Sequence, residues 1–105
     1  MQIIKGTLDI IVLKTLSWGP LHGFGVAAWI AGRFGGELEL EEGALYQSLR
    51  RMEERGWLTA YWGVSENNRK ARFYRLNPSG RKQLRSETES WERYSTTLTR
   101  VLRAT

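Results

Sequence analysis

The stretch EGALYQSLRRMEERGWL, Glu42 to Leu58, carries two patterns at once. Leu45, Leu49 and Met52 recur at i, i+4 and i+7, the spacing of one face of an α-helix. Tyr46, Gln47, Arg50 and Arg51 fall on the other faces. Arg55-Gly56 supplies a stop, because glycine readily takes the left-handed angles that end a helix. Trp57 follows at once. The stretch therefore reads as one short helix, anchored by its apolar stripe and presenting tyrosine, glutamine and arginine elsewhere.

At 105 residues the chain is sized for one domain. Small domains hide a smaller share of their apolar surface and often need a partner. The absence of cysteine excludes disulfides and thiolate metal sites and suits a reducing compartment. No apolar run is long enough to cross a bilayer, and the first residues lack the order of a secretion signal. A cytoplasmic protein without membrane contact is expected. The net charge of +5 is concentrated: residues 66–82 hold Arg69, Lys70, Arg72, Arg75, Arg81 and Lys82 against Glu66 alone. A localised basic patch is the footprint of a polyanion binder, although a solvated Lys/Arg face has the same composition.

Outward from the opening stretch, helical spacing appears on both sides. Thr7 can cap a first helix whose inner face is Leu8, Ile11, Val12, Thr15 and Leu16. SWGPLHG breaks it, since Gly19-Pro20 is a turn signal. A second helix is predicted from about Gly23 to Arg33, with Val26, Trp29 and Ile30 apolar. GGELELEEG is a loop or a very short strand. Beyond Gly56 the period changes: LTAYWGV and ARFYRL bracket the polar SENNRK, a hairpin signature. Asn77 then caps a last helix with Pro78 at its first position. Running to near Leu102, it spans about 35 Å. Leu84, Trp91 and Leu98 are spaced by sevens, with Tyr94 and Val101 between them. This seam suits a dimer arm packed on its symmetry mate and on Leu8 of the first helix; the alternative is a helix folded back on its own domain.

Three helices, a hairpin and a long helix give a mainly α fold with a small β-hairpin, in the order of a winged helix-turn-helix. Residues 1–77 would form the DNA-binding part and 78–105 a C-terminal dimerisation helix, together one compact unit. In that arrangement the third helix enters the DNA major groove. Gly43 and Ala44 let the backbone approach a duplex, Tyr46 offers a hydroxyl to phosphate, and Gln47 and Arg50 suit base edges or phosphate, with Arg51 beside them. Ser65 to Lys70 would be the wing, where Asn67 and Asn68 serve the turn and Arg69, Lys70 and Arg72 the contact.

Three blocks, GTLDIIVLKTLSWGPLHGFG, GALYQSLRRMEERGWL and RFYRLNPSGRKQL, resemble the signatures of the PadR-type transcriptional regulators. They cover most of residues 6–84. WGVSENNRKARFYRL is similar to a compact subgroup with a single C-terminal helix. The resemblance implies a winged helix dimerised through its terminal helices that acts as a repressor relieved by a small molecule; the two-fold symmetry of such a homodimer suits a near-palindromic operator on double-stranded DNA. It places DNA contacts at Tyr46, its neighbours and the basic wing. Phe24 departs from the tyrosine common in that block. ESWERY looks like the stretch of multidrug-binding members whose tryptophan sandwiches flat aromatic compounds across the dimer. Trp91 matches it, the alternative being a dimer-core anchor.

Other chemistries find little support. GFGVAA matches a dinucleotide fingerprint, but the segment before it has helical spacing and no parallel strands follow. His22 is the only histidine, without partners at metal-ligand spacing, and more plausibly starts the second helix. No nucleophile has a base at a motif spacing, so no enzyme activity or cofactor is expected. The serious alternative is a winged helix that docks on protein instead of DNA.

Overall fold

The computed structural model describes residues 1–105. Helix α1 (Leu8–Thr15) passes through a 3-10 turn at Leu16–Trp18 to a short strand β1 (Leu21–His22), then to α2 (Gly23–Phe34) and α3 (Glu42–Glu54). Strands β2 (Leu58–Val64) and β3 (Lys70–Leu76) form the hairpin, and α4 (Pro78–Leu102) ends the chain. This is the expected winged helix with a long last helix. The sheet has three antiparallel strands in the order β1-β3-β2, rather than a hairpin alone. Strand β1 was hidden within SWGPLHG because its two residues pair with Tyr74 and Phe73, far away in sequence.

The core draws on every layer. Val12, Leu13 and Leu16 of α1 and its following turn meet Val26 and Ile30 of α2, Leu45, Leu49 and Met52 of α3, and Leu58, Tyr74 and Leu76 of the sheet. Leu13 was missing from the expected inner face of α1. That helix is packed by both α3 and α4, so its buried surface is wider than one stripe. Thr7 does not cap α1 with its side chain; its hydroxyl donates to the Ile4 carbonyl at 2.7 Å.

The segment from α3 to α4 is closed at its turns by the expected devices. Helix α3 stops at Arg55; Gly56 has φ +80°, Gly56 N–H donates to the Glu53 carbonyl, and Trp57 N–H to that of Met52. These two bonds form a Schellman motif. Asn77 Oδ1 accepts from Gly80 N–H at 2.9 Å, while its amide donates to the Gly56 carbonyl at 2.8 Å. One side chain thus caps α4 and ties it to the end of α3. Helix α4 packs on α1 through Leu84, but Trp91, Tyr94, Leu98, Val101 and Leu102 are exposed. Its outer half makes the molecule 58 Å long and only 21 Å thick.

Gly80 sits where α4 crosses the backbone of Trp57. A Cβ there would lie 2.2 Å from the Trp57 carbonyl oxygen and 2.5 Å from the Leu76 side chain. Gly80→Ala is therefore expected to lower unfolding stability by about 1–3 kcal/mol in urea titrations, from overpacking. Exposed Ser79→Ala should stay within about 0.5 kcal/mol of the parent.

Candidate nucleic-acid interface

Leu45, Leu49 and Met52 are fully buried, and Ser48 is buried with them. The serine hydroxyl donates to Asp9 Oδ1 at 2.6 Å, and Arg51 Nε donates to Asp9 Oδ2 at 3.3 Å. A carboxylate on α1 therefore grips two consecutive turns of α3 and fixes the roll of that helix. Gly43, Tyr46, Gln47 and Arg50 are left on the exposed side, with Ala44 half-buried beside them. Arg51 is committed to Asp9 within the fold. The Tyr46 ring lies against Gly23, where a Cβ would come within 2.5 Å of a ring carbon. That close approach joins the start of α2 to the exposed face of α3. No side chain caps α3 at its start, so its first amides have no side-chain acceptor.

The wing grows from the hairpin register, in which Val64 pairs with Lys70. Ser65 N–H donates to the Arg69 carbonyl at 2.8 Å and Asn68 N–H to the Ser65 carbonyl at 2.8 Å. Asn68 has φ +57°, the left-handed region that asparagine tolerates better than most residues. Arg69 and Lys70 are exposed at the tip and form no ion pair within the chain. Arg72 is tied to Glu53 at 2.7 Å, and that hydrogen bond pushes its pKa up. Exposed Trp62 lies beneath both cations, with Lys70 Nζ at 5.1 Å and the Arg72 guanidinium at 5.7 Å from the ring.

His22 connects wing and helices. Its Nδ1 accepts from Gly25 N–H at 2.9 Å, capping α2, and its Nε2 lies 3.5 Å from Glu66 in the wing. A backbone hydrogen bond, then His22, holds the Glu66 carboxyl below its ordinary pKa. Such a depressed carboxylate adds stability above its unfolded pKa and loses it as pH falls through the folded value. Full exposure makes that contribution small. Between these elements lies a cleft of about 390 Å³, lined among others by His22, Gly23, Tyr46, Arg69 and Lys70. Tyr46 of α3 and the basic wing thus border one cleft.

A model described as the Transcriptional regulator PadR-like family matches residues 12–86. The chain belongs to this family. It is similar to a solved transcriptional regulator from Clostridium thermocellum, 27% identical over 92% of this chain and 94% of that one, with a TM-score of 0.83. A PadR-like transcriptional regulator from Bacillus cereus is 24% identical, covers 97% of both chains and has a TM-score of 0.80. A PadR from Bacillus subtilis, solved in complex with operator DNA, is 20% identical over 78% of this chain and 47% of that one, with a TM-score of 0.70. The last two establish a shared fold. PadR proteins regulate transcription and are not enzymes.

Within this PadR chain, Phe24 is 64% exposed beside His22, at the mouth of the cleft. The hydroxyl that a tyrosine would carry is absent from an outer surface, so the core does not depend on it. No helix is long and apolar enough to cross a membrane. Of the seam, Leu8 and Leu84 pack partly on the core of their own chain, while Trp91, Tyr94, Leu98 and Val101 stay exposed. The sequence reading missed Asp9 and Ser48, whose signal was slight: one acid at the start of an apolar helical run. Asp9→Asn should lower stability by about 1–3 kcal/mol in urea unfolding, because Ser48 and Arg51 lose a charged acceptor.

Proposed function

We propose that the protein is a homodimeric, sequence-specific DNA-binding repressor acting in the cytoplasm. The observation that carries this reading is the cleft in which exposed Tyr46 of α3 stands beside the unpaired wing cations Arg69 and Lys70, with Gln47 and Arg50 exposed on the same helix. The family membership and the operator complex of the Bacillus subtilis relative support it. Residues 1–77 would read DNA and 78–105 would dimerise. Two recognition helices related by a two-fold axis would enter successive major grooves about 34–36 Å apart on a near-palindromic operator. The first amides of α3 and the Tyr46 hydroxyl suit phosphate oxygens; Gln47 and Arg50 suit base edges. Asn68 shapes the wing, and Arg69 and Lys70 meet phosphates or the minor groove. Arg51 and Arg72 act within the protein, orienting α3 and the hairpin.

Repression is relieved, on this reading, by a small aromatic or hydrophobic ligand at the α1–α4 dimer interface. Trp91 is 40% exposed and lines a small apolar cavity with Ile3, Ile4 and Ile11. Two such indoles facing each other would make a slot for a planar molecule. The ligand would shift the dimer only as far as it binds one spacing of the recognition helices better than another.

Selection from random duplexes at several salt concentrations should enrich an inverted repeat, with affinity falling steeply as salt rises. Binding that salt does not weaken, or none at low salt, would favour a protein-docking winged helix instead. Arg69→Ala with Lys70→Ala should weaken all sequences alike and lower the salt slope by about two units, whereas Gln47→Ala or Arg50→Ala should relax preference at single base positions by about 1–3 kcal/mol. Equal affinity of the wing variant would remove the wing from the interface. Planar dyes should quench tryptophan fluorescence in the parent and not in Trp91→Ala; unchanged quenching in that variant would sink the slot.

A further inference from the structure

Strand β2 leaves the core along its own length. Leu58 is buried, Ala60 half-buried and Trp62 60% exposed, all on one face of the sheet. An indole so exposed buries little apolar area and adds little to folding. Its neighbours are cations instead. In the hairpin register Trp62 stands opposite Arg72, with Lys70 diagonal to it beside Val64. The Lys70 ammonium lies 5.1 Å and the Arg72 guanidinium 5.7 Å from the ring. Both are within the range at which a positive charge is drawn to the face of an aromatic ring.

The two cations differ in what else holds them. Arg72 donates to Glu53 Oε2 at 2.7 Å, which fixes it to the last turn of α3. Lys70 forms no ion pair, and Glu66, the only acid between Ser65 and Lys70, faces His22. A lysine carries its charge on a flexible four-carbon stem, so holding it in one place costs rotamer freedom. The face of Trp62 supplies a restraint on that stem. Glu53, Arg72, Trp62 and Lys70 thereby form a chain of contacts from α3 to the wing. Arg72 and Lys70 line the cleft that Tyr46 also lines, whereas Trp62 lies outside its wall and backs the two cations.

Resting on the DNA-binding reading above, we infer that Trp62 is a positioning residue for that binding. Its ring holds the Lys70 ammonium at the cleft, in a set place relative to α3, so that Lys70 meets a backbone phosphate already ordered. Trp62 itself touches no DNA. The attraction comes from the electron-rich face of the ring, not from its bulk. An aliphatic side chain can cover the same strand but lacks that face, whereas phenylalanine keeps it.

Phosphate contacts carry no sequence information, so a labelled random-sequence duplex is a sufficient probe for the full-length protein across a salt series. Trp62→Leu is expected to weaken binding at low salt about fourfold. It should also lower the salt slope toward that of Lys70→Ala, which lacks about one unit. Trp62→Phe should recover most of the loss. In the Lys70→Ala background Trp62→Leu should have no further effect, as expected of two residues that act through one contact. Urea midpoints of the variants should match the parent's, because the ring is exposed. No loss with leucine, equal losses with leucine and phenylalanine, or a leucine loss that persists without Lys70 would each overturn the positioning role while leaving DNA binding intact. A parent that binds no duplex at low salt would remove the DNA-binding reading, and this inference with it.

Discussion

The carboxylate of Asp9 is the constraint on which the direction of the exposed face of α3 depends. It lies on α1 with its side chain only 18% exposed, so it must be satisfied by the protein. The donors that satisfy it, Ser48 and Arg51, are three residues apart on α3. Residues at that spacing sit on one face, so meeting both demands leaves α3 a single roll angle. Apolar packing by Leu45, Leu49 and Met52 holds the helix against the core but tolerates sliding more readily than a directional, charged hydrogen bond does. Tyr46, Gln47 and Arg50 owe their shared direction to that bond. The same bond draws Arg51 inward, so one of the two adjacent arginines serves geometry and the other stays free.

The wing is built on similar lines. Its cations divide into Arg72, held by Glu53, and Arg69 with Lys70, which have no intramolecular counter-charge. The Glu53–Arg72 bridge joins the end of α3 to the hairpin and neutralises an acid close to a surface otherwise suited to phosphate. His22 does the corresponding work at the other side, capping α2 and facing Glu66. Both acids nearest the wing are thereby turned toward protein groups. A net charge that is modest for the whole chain becomes a strong local field, because it is the cations at the tip that remain unpaired.

Helix α4 divides into a supported and an unsupported half. Its first turns are fixed by the Asn77 cap, the close crossing at Gly80 and Leu84 on the core. Its later turns have no apolar support from their own chain, although they keep an apolar stripe. A domain of this size cannot bury every face of so long a helix.

The sequence by itself determined the element order, the apolar stripe of α3, the Asn77 cap, the Gly56 stop and the turn at Asn68. Each is set by residues within a few positions, where helical or two-residue periodicity and backbone preference are enough. It also located the family blocks and the concentration of charge. What only the tertiary structure decided are the pairings between distant residues: Asp9 with Ser48 and Arg51, Glu53 with Arg72, His22 with Glu66, and β1 with β3. An arginine on a helix looks the same in sequence whether it faces solvent or a carboxylate on another helix. Long-range partners are selected by packing, and packing exists only once the chain has closed on itself.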